Sequence, residues 1–400
     1  MNLPLQTQVK SQFEMPPLRV PLGEYISEEG FELDKRHLFA RSWRLAGHSE
    51  DIPNPGDYFV RDFEVPKASV IVVRSRDGVI RAFHNVCRHR GNELVRDRAA
   101  GCKARFTCSF HGWTWANNGD LLGITDESQF VGLDKSKLGM VPVQCEQWQG
   151  RIFLNFQKTP AEPLLAWLED IDGDYGDYYS NMYKAGSLKA ELRTNWNLAV
   201  NAFSEGYHTL YIHKNTAGDY QGGKVNPQRH RPFMNFMKRH TVYSAPANPD
   251  HRLGPAEVIA YRHGRRMLPA ACFDNDSLPP AVNPSRAEHW LFDVVHVFPN
   301  LVMMNGQHFH VELRFDPLAA DRTQLTVDFF LYRPENLAQR VGQELFLTLA
   351  REVTREDLSL LEAQYAALST GVLDEVYLSR QEMALAQHFK VRNAMIGGEL

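Results

Sequence analysis

Hydrophobic and polar residues change rhythm twice along this chain. From residue 43 to about residue 156, apolar runs of strand length alternate with turn-forming clusters. These are Pro53-Asn54-Pro55-Gly56-Asp57, Arg76-Asp77-Gly78 and Asn117-Asn118-Gly119-Asp120, the punctuation of an all-β unit. Its closing strand is expected at Gly150-Arg151-Ile152-Phe153-Leu154-Asn155-Phe156, and Thr159-Pro160-Ala161-Glu162-Pro163 reads as a domain boundary. Ahead of this unit, Ser27 followed by Phe31, Leu33, Leu38 and Phe39 predicts a short helix with a serine cap. Beyond the boundary the pattern predicts a helix over about 195–213 and strands over 289–304, 307–315 and 324–332. A long helix over about 334–368 and a helical tail from 381 follow. Residues 214–284, rich in Gly, Pro, His and Arg, show no clean period and read as irregular or lid-like. At 400 residues the chain exceeds what one core usually supports. The expectation is an α+β protein of two domains, an all-β domain at 41–157 and a second built from 1–40 and 158–400.

The first candidate chemistry sits on the β unit. Cys87-Arg88-His89 is followed by Cys108-Ser109-Phe110-His111, so two thiols and two imidazoles come in matched pairs. Zinc would take all four tetrahedrally, whereas a Rieske [2Fe–2S] centre would place both cysteines on one iron and both histidines on the other. Segments 69–74, 79–85 and 104–107 are β-rich, which puts the ligands on hairpin tips rather than on a finger helix. Each pair ends near a glycine, Gly91 or Gly112, that lets the backbone turn tightly. Both loops resemble those of the Rieske oxygenases, Cys-x-His-Arg-Gly and Cys-x-x-His-Gly-Trp. Phe110 stands where many members carry Tyr; the resemblance implies that loss of that hydroxyl shifts the cluster potential without preventing assembly.

The second stretch runs from Asn195-Trp196 through Asn201, Glu205, His208 and His213. At roughly 100° per residue, Asn201, Glu205 and His208 share one helical face, and His213 lies well round from His208. Both histidines reach one metal only if the helix bends or ends between them. On the late helix, Asp357 is the one acid on a face otherwise made of Ala350, Val353, Thr354, Leu360 and Leu361, while Arg351, Glu352, Arg355, Glu356 and Glu362 lie on the other side. A buried carboxylate needs a partner, either a hydrogen-bonding or Arg partner or a metal. Two histidines and a carboxylate form the facial triad of non-haem Fe(II), which leaves positions open for O2 and substrate.

Over nearly its whole length the chain resembles the α subunits of Rieske non-haem iron oxygenases, the aromatic ring-hydroxylating dioxygenase family. The Asn-Trp lead-in, the acidic-x-x-His-x4-His motif and the late helical Asp map onto Asn195-Trp196, Glu205/His208/His213 and Asp357. The resemblance implies a [2Fe–2S] cluster on Cys87, His89, Cys108 and His111 and a mononuclear Fe(II) on His208, His213 and Asp357. It implies a catalytic domain with an antiparallel sheet wrapped around long helices (helix-grip, START-like). It also implies a head-to-tail homotrimer in which Glu205 bridges an iron-site histidine to His111 of the next chain for electron transfer. Electrons would come from an NAD(P)H-linked reductase, with or without a ferredoxin, and a small β subunit is a further possible partner. Most members have Asp at the Glu205 position; a minority, including enzymes acting on quaternary amines, have Glu.

Composition narrows the remaining choices. With 43% apolar and 23% charged residues and a formal charge of −4, there is no basic footprint for nucleic acid. The longest apolar stretch, 291–304, is interrupted by Asp293, His296, Pro299 and Asn300, so no membrane span is expected. Residues 1–10 lack a secretory pattern, and beyond the cluster pair only Cys102, Cys145 and Cys272 remain, an odd set that argues for a reducing cytoplasm. The cluster loops carry no extra cysteines, unlike those of quinol-oxidising relatives. No G-x-G-x-x-G or G-x-x-x-x-G-K-[ST] motif is present.

Four readings follow. One is hydroxylation of an aromatic or other hydrophobic substrate, with Asn201 as a pocket residue. Another is oxidative N- or O-demethylation or quaternary-amine monooxygenation, for which Trp290, Phe292 and Tyr332 are cage candidates. The others are a non-catalytic electron carrier, opposed by the chain length, and a colourless zinc-stabilised module. His84, His296, His308 and His310 read as structural or as neighbours of the metal ligands.

Overall fold

The apolar runs of residues 43–156 pair into a seven-stranded antiparallel sheet. Its spatial order is Arg44–His48, Arg151–Asn155, Pro142–Trp148, Ile80–His84, Ala68–Arg74, Asp57–Phe63 and Gly101–Cys102. A second, three-stranded sheet is made of Leu121–Gly123, Thr114–Ala116 and Arg105–Thr107. The computed structural model describes residues 8–9, 18–97, 100–264, 266–268 and 275–400; Cys272 lies outside these. Successive side chains of a strand face opposite ways, and the strand Ala68–Arg74 uses both faces. Val70 and Val72 pack with Ile52, Phe63 and Ile152. Ile71 and Val73 pack with Tyr58, Phe83, Phe106 and Trp115, in the same core as Cys87 and Cys108. The ligand loops therefore stand directly on a close-packed floor.

The chain divides into two compact units, residues 35–167 and residues 1–34 with 168–400. The expected boundary segment, 159–163, and the residues on either side of it are tied to the β unit. The Gln144 side chain donates to the Lys158 carbonyl (2.8 Å), Trp43 Nε1 to the Glu162 carbonyl (3.0 Å), and the Leu164 N–H to the Glu146 carboxylate (3.0 Å).

The larger unit is built on an eight-stranded sheet. In spatial order its strands are Gln8–Val9, Phe233–Phe236, Thr241–Pro246, Trp290–Val297, Leu301–Asn305, Phe309–Ala319, Arg322–Tyr332 and Met182–Leu192. All pairs are antiparallel except the first, which is parallel. Two expectations need correction. The single strand over 289–304 is two, because the chain turns at Phe298-Pro299-Asn300, where proline has no N–H for the ladder. Residues 214–284 are not simply irregular: they hold two strands and the helix Pro255–Tyr261. Every residue of those two strands is buried, so no polar alternation marks them.

The long helix spans Leu337–Leu368 and is capped by the Asn336 side chain, which accepts from the Gln339 N–H at 3.0 Å. The tail helix is Met383–Gly397. The early helix, Glu28–Asp34, has the expected serine cap, Ser27 Oγ accepting from the Gly30 N–H at 3.0 Å. Its last residue, Asp34, is buried against the Arg392 guanidinium (2.6 Å) and accepts from Trp196 Nε1 (2.9 Å), anchoring the start of the segment that carries the histidines. Among the described residues no helix is long and apolar enough to cross a membrane.

Candidate metal centres

The two loops on the β unit close in the same way. The Gly91 N–H donates to the Cys87 carbonyl and the Gly112 N–H to the Cys108 carbonyl, each at 3.0 Å, four residues back in both cases. Both glycines have positive φ, +77° and +73°, the left-handed region that a side chain disfavours. The two cysteines are buried, and the rings of His89 and His111 stand 4.6 Å apart. His89 stacks on Trp113 at 5.0 Å, and its Nδ1 is a buried atom with no hydrogen-bond partner. A buried, unpartnered imidazole nitrogen beside two buried thiols fits a metal-cluster ligand. Burial raises the Cys108 pKa, but the backbone N–H groups of Phe110 and His111 outweigh it, with Cys87 and Asn92 also contributing, and hold the thiol below its usual range. Asn92 Nδ2 donates to Cys108 Sγ at 3.6 Å. Amides aimed at sulfur are the environment of an iron–sulfur thiolate.

In the larger unit the expected helix over 195–213 is broken. A helix runs over Trp196–Ala202, and a second, short one over Thr209–Ile212. The common helical face of Asn201, Glu205 and His208 does not form, because local side-chain bonds replace helical ones. Ser204 Oγ donates to the Val200 carbonyl (2.9 Å), Gly206 follows, and the Glu205 carboxylate accepts from the Tyr207 N–H. This break removes the phase problem of histidines five apart. The His208 and His213 rings lie 5.2 Å apart, and Asp357 Oδ1 is 3.5 Å from His208 Nε2 and 3.1 Å from His213 Nε2. One ligand atom from each of the three lies within 4.8 Å of the others.

The remaining ring nitrogens are committed elsewhere. His208 Nδ1 bonds Glu205 Oε1, and His213 Nδ1 bonds Glu356 Oε2 at 2.9 Å. Each imidazole is thus held by a carboxylate on Nδ1 and presents Nε2 to Asp357, the carboxylate–histidine–metal arrangement. Burial alone would lower both histidine pKa values; Glu205 and Asp357 at His208, and Asp357 and Glu356 at His213, raise them instead. Three carboxylates around two imidazoles leave an excess of negative charge that a divalent cation would neutralise, displacing protons as it binds. The donor set fits non-haem iron.

Ala350, Val353 and Thr354, expected to share Asp357's face, line a cavity of about 170 Å³ together with His208, His213 and Asp357. Its wall is mainly apolar, with Phe292, Phe309, Phe329 and Phe346 prominent. Asn201 does not line this cavity: its amide donates to Tyr25 Oη, and it faces a second cavity that also touches Glu205 and His208. Of the cage candidates only Phe292 lines the first cavity; Trp290 is buried with Nε1 on Asp293, and Tyr332 is not among the lining residues. Of the other histidines, His296 bonds the Pro299 carbonyl, and His310 sits between Asn305 and Glu312.

Helical phase places Glu356 on the other side of the helix from Asp357, yet it bonds His213. It also accepts from Thr216 Oγ1 at 2.7 Å, on the segment after His213, and that tertiary contact leaves no trace in helical phase. Arg229 and Arg231 line the cavity. Only their place in a Pro- and Gly-rich stretch of the larger domain hinted at it.

A paired Cys/His loop set and an open two-histidine, one-carboxylate centre in one chain define the Rieske class of non-haem iron oxygenases. Residues 42–142 match the Rieske [2Fe–2S] domain, and residues 179–398 match the ring hydroxylating alpha subunit catalytic domain. The carnitine monooxygenase oxygenase subunit of Escherichia coli (strain K12) is 31% identical over 322 residues, 80% of this chain and 81% of that protein. The large oxygenase component of the naphthalene 1,2-dioxygenase system of Pseudomonas aeruginosa is 37% identical over 198 residues, 46% of this chain and 42% of that one. A solved quaternary ammonium Rieske monooxygenase shares the fold, with a TM-score of 0.72 at 22% identity over 95% of this chain and 94% of that one. The chain belongs to the ring-hydroxylating α subunits of the Rieske non-haem iron oxygenases. It is an oxidoreductase that incorporates oxygen from O2, and its cofactors are a Rieske [2Fe–2S] cluster and a mononuclear iron. Such subunits take electrons from a donor protein and oligomerise.

Proposed function

We propose that this chain is the terminal component that hydroxylates an aromatic or otherwise apolar substrate in the cavity beside His208, His213 and Asp357. The observation that carries the reading is the placement of those three ligand atoms at the wall of an apolar cavity. Cys87, His89, Cys108 and His111 hold the cluster. When bound, the cluster supplies single electrons and the iron supplies O2 activation. Glu205 and Glu356 fix the tautomer and aim of the two imidazoles, so Nε2 of each faces the metal position. The phenylalanine wall binds and orients the substrate and excludes water. Glu205, on His208 Nδ1, is also the bridge to His111 of a neighbouring copy in a homotrimer. A cytoplasmic NAD(P)H-linked reductase, directly or through a ferredoxin, is the electron source.

A second reading, oxidation of a quaternary amine, is favoured by Glu205 and by the name of the carnitine relative, which aligns with 80% of this chain. Against it, two guanidinium groups, Arg229 and Arg231, line the same cavity.

The test is a single turnover. Protein reduced with dithionite and freed of reductant is mixed with ¹⁸O2 and a panel of aromatic, alkyl and quaternary-amine compounds. Incorporation of ¹⁸O into an apolar compound, abolished by Asp357→Ala with the cluster spectrum intact, is expected. Iron-replete protein that labels none of them would contradict the proposal.

A further inference from the structure

Two arginines line the apolar cavity. Arg231 and Arg229 are 7% and 8% exposed and line the same cavity as His208, His213 and Asp357. Among the described residues neither forms an ion pair. Arg231 lies on the face of Tyr243, 3.6 Å from the ring centroid. One of its terminal nitrogens, Nη2, donates to the Gln381 carbonyl, while Nη1 is buried with no partner. Arg229 reaches the Gln381 side chain at 3.5 Å, and its Nε is likewise buried and unpartnered. Burial lowers the pKa of both guanidinium groups. The carboxylates that act on Arg231 through space are Glu205 and Glu382, and Glu205 is committed to His208 Nδ1 and the Tyr207 N–H.

An uncompensated buried charge is costly, and a guanidinium fixed on one face by an aromatic ring keeps its planar N–H fork in place for a carboxylate. We propose that the substrate carries a carboxylate on an apolar body, and that Arg231, with Arg229 beside it, binds that carboxylate while the phenylalanine wall takes the body. This rests on the oxygenase reading of the cavity and specifies its substrate class. A simple cation is disfavoured there by the two guanidinium charges. Arg231 thereby fixes the orientation of the substrate and selects the carbon presented to the metal position.

The test is calorimetric titration of iron-loaded protein, kept anaerobic, with benzoate, 3-phenylpropanoate and octanoate, each against its neutral amide, and with benzyltrimethylammonium and γ-butyrobetaine. At least one acid is expected to bind ten-fold or more tighter than its amide. Arg231→Gln is expected to erase that preference, and Arg231→Lys to restore part of it. γ-Butyrobetaine, whose body is a cation, is expected to bind more weakly than the best apolar acid, and tighter binding would overturn the apolar body. Acids that bind no better than their amides in the wild-type protein overturn the proposal, whether or not the variants fold, as does benzyltrimethylammonium binding tighter than every acid. Iron and sulfide are measured on the same samples, and the titration is repeated on iron-free protein. Missing iron or sulfide counts against the oxygenase reading alone, because the acid-over-amide preference needs neither.

Discussion

Glu356 offers the sharpest test of how the larger unit holds its iron. Its carboxylate accepts from His213 Nδ1 and Thr216 Oγ1, so it fixes both the ring and the segment after it. With Glu356→Ala, His213 loses the bond that keeps the proton on Nδ1 and the lone pair on Nε2. Partners of this kind typically contribute 10- to 100-fold in metal affinity, about 1.4–2.8 kcal/mol. Loss of both bonds places the alanine variant at the upper end. Glu356→Gln keeps an acceptor for Nδ1 without the charge and belongs near the lower end. The assay is anaerobic competition of a chelator for iron, with acid-labile sulfide and the visible cluster spectrum measured on the same samples. Mononuclear iron is expected to be lost at 10- to 100-fold lower chelator, with sulfide unchanged. Wild-type iron retention in both variants would refute the positioning role. Parallel loss of sulfide would show a folding defect instead.

Two further predictions concern the scaffold. Gly91 and Gly112 both have positive φ, but a Cβ at Gly112 would stand 2.7 Å from Thr125 Oγ1, while one at Gly91 meets nothing within 4 Å. Gly91→Ala should therefore cost only the left-handed strain, about 1–2 kcal/mol, and Gly112→Ala more, read as a lower temperature of cluster bleaching; equal midpoints would contradict this. Asp293 is fully buried and its pKa is raised by burial to about 6, despite donors from Ser244, Asn283 and Trp290. An acid whose pKa is raised on folding stabilises the fold below its unfolded value near 4, and that contribution is lost as pH rises through about 6, at most about 3 kcal/mol. The thermal midpoint of wild type relative to Asp293→Asn should thus be higher at pH 5 than at pH 8, and a difference independent of pH would contradict the reasoning.

What could be read in advance was local. The Cys/His loops are contiguous motifs whose turns depend on Gly91 and Gly112, and the late Asp357 stood out as one acid on an apolar helical face. The break after Ala202 was legible only as a condition, since His208 and His213 could not share a metal on one straight helix. Its cause, the Glu205 carboxylate capping the next turn, is a side-chain competition that periodicity does not register. The strands Phe233–Phe236 and Thr241–Pro246 escaped because complete burial removes alternation. Arg229 and Arg231, flanked by Pro, Asn and His, resemble a solvated loop until the sheet folds over them.

The account stands most directly on metal and sulfide analysis of the purified protein with the EPR spectrum of its dithionite-reduced form. It predicts about three irons and two sulfides per chain with a Rieske-type signal. Zinc without sulfide would contradict it.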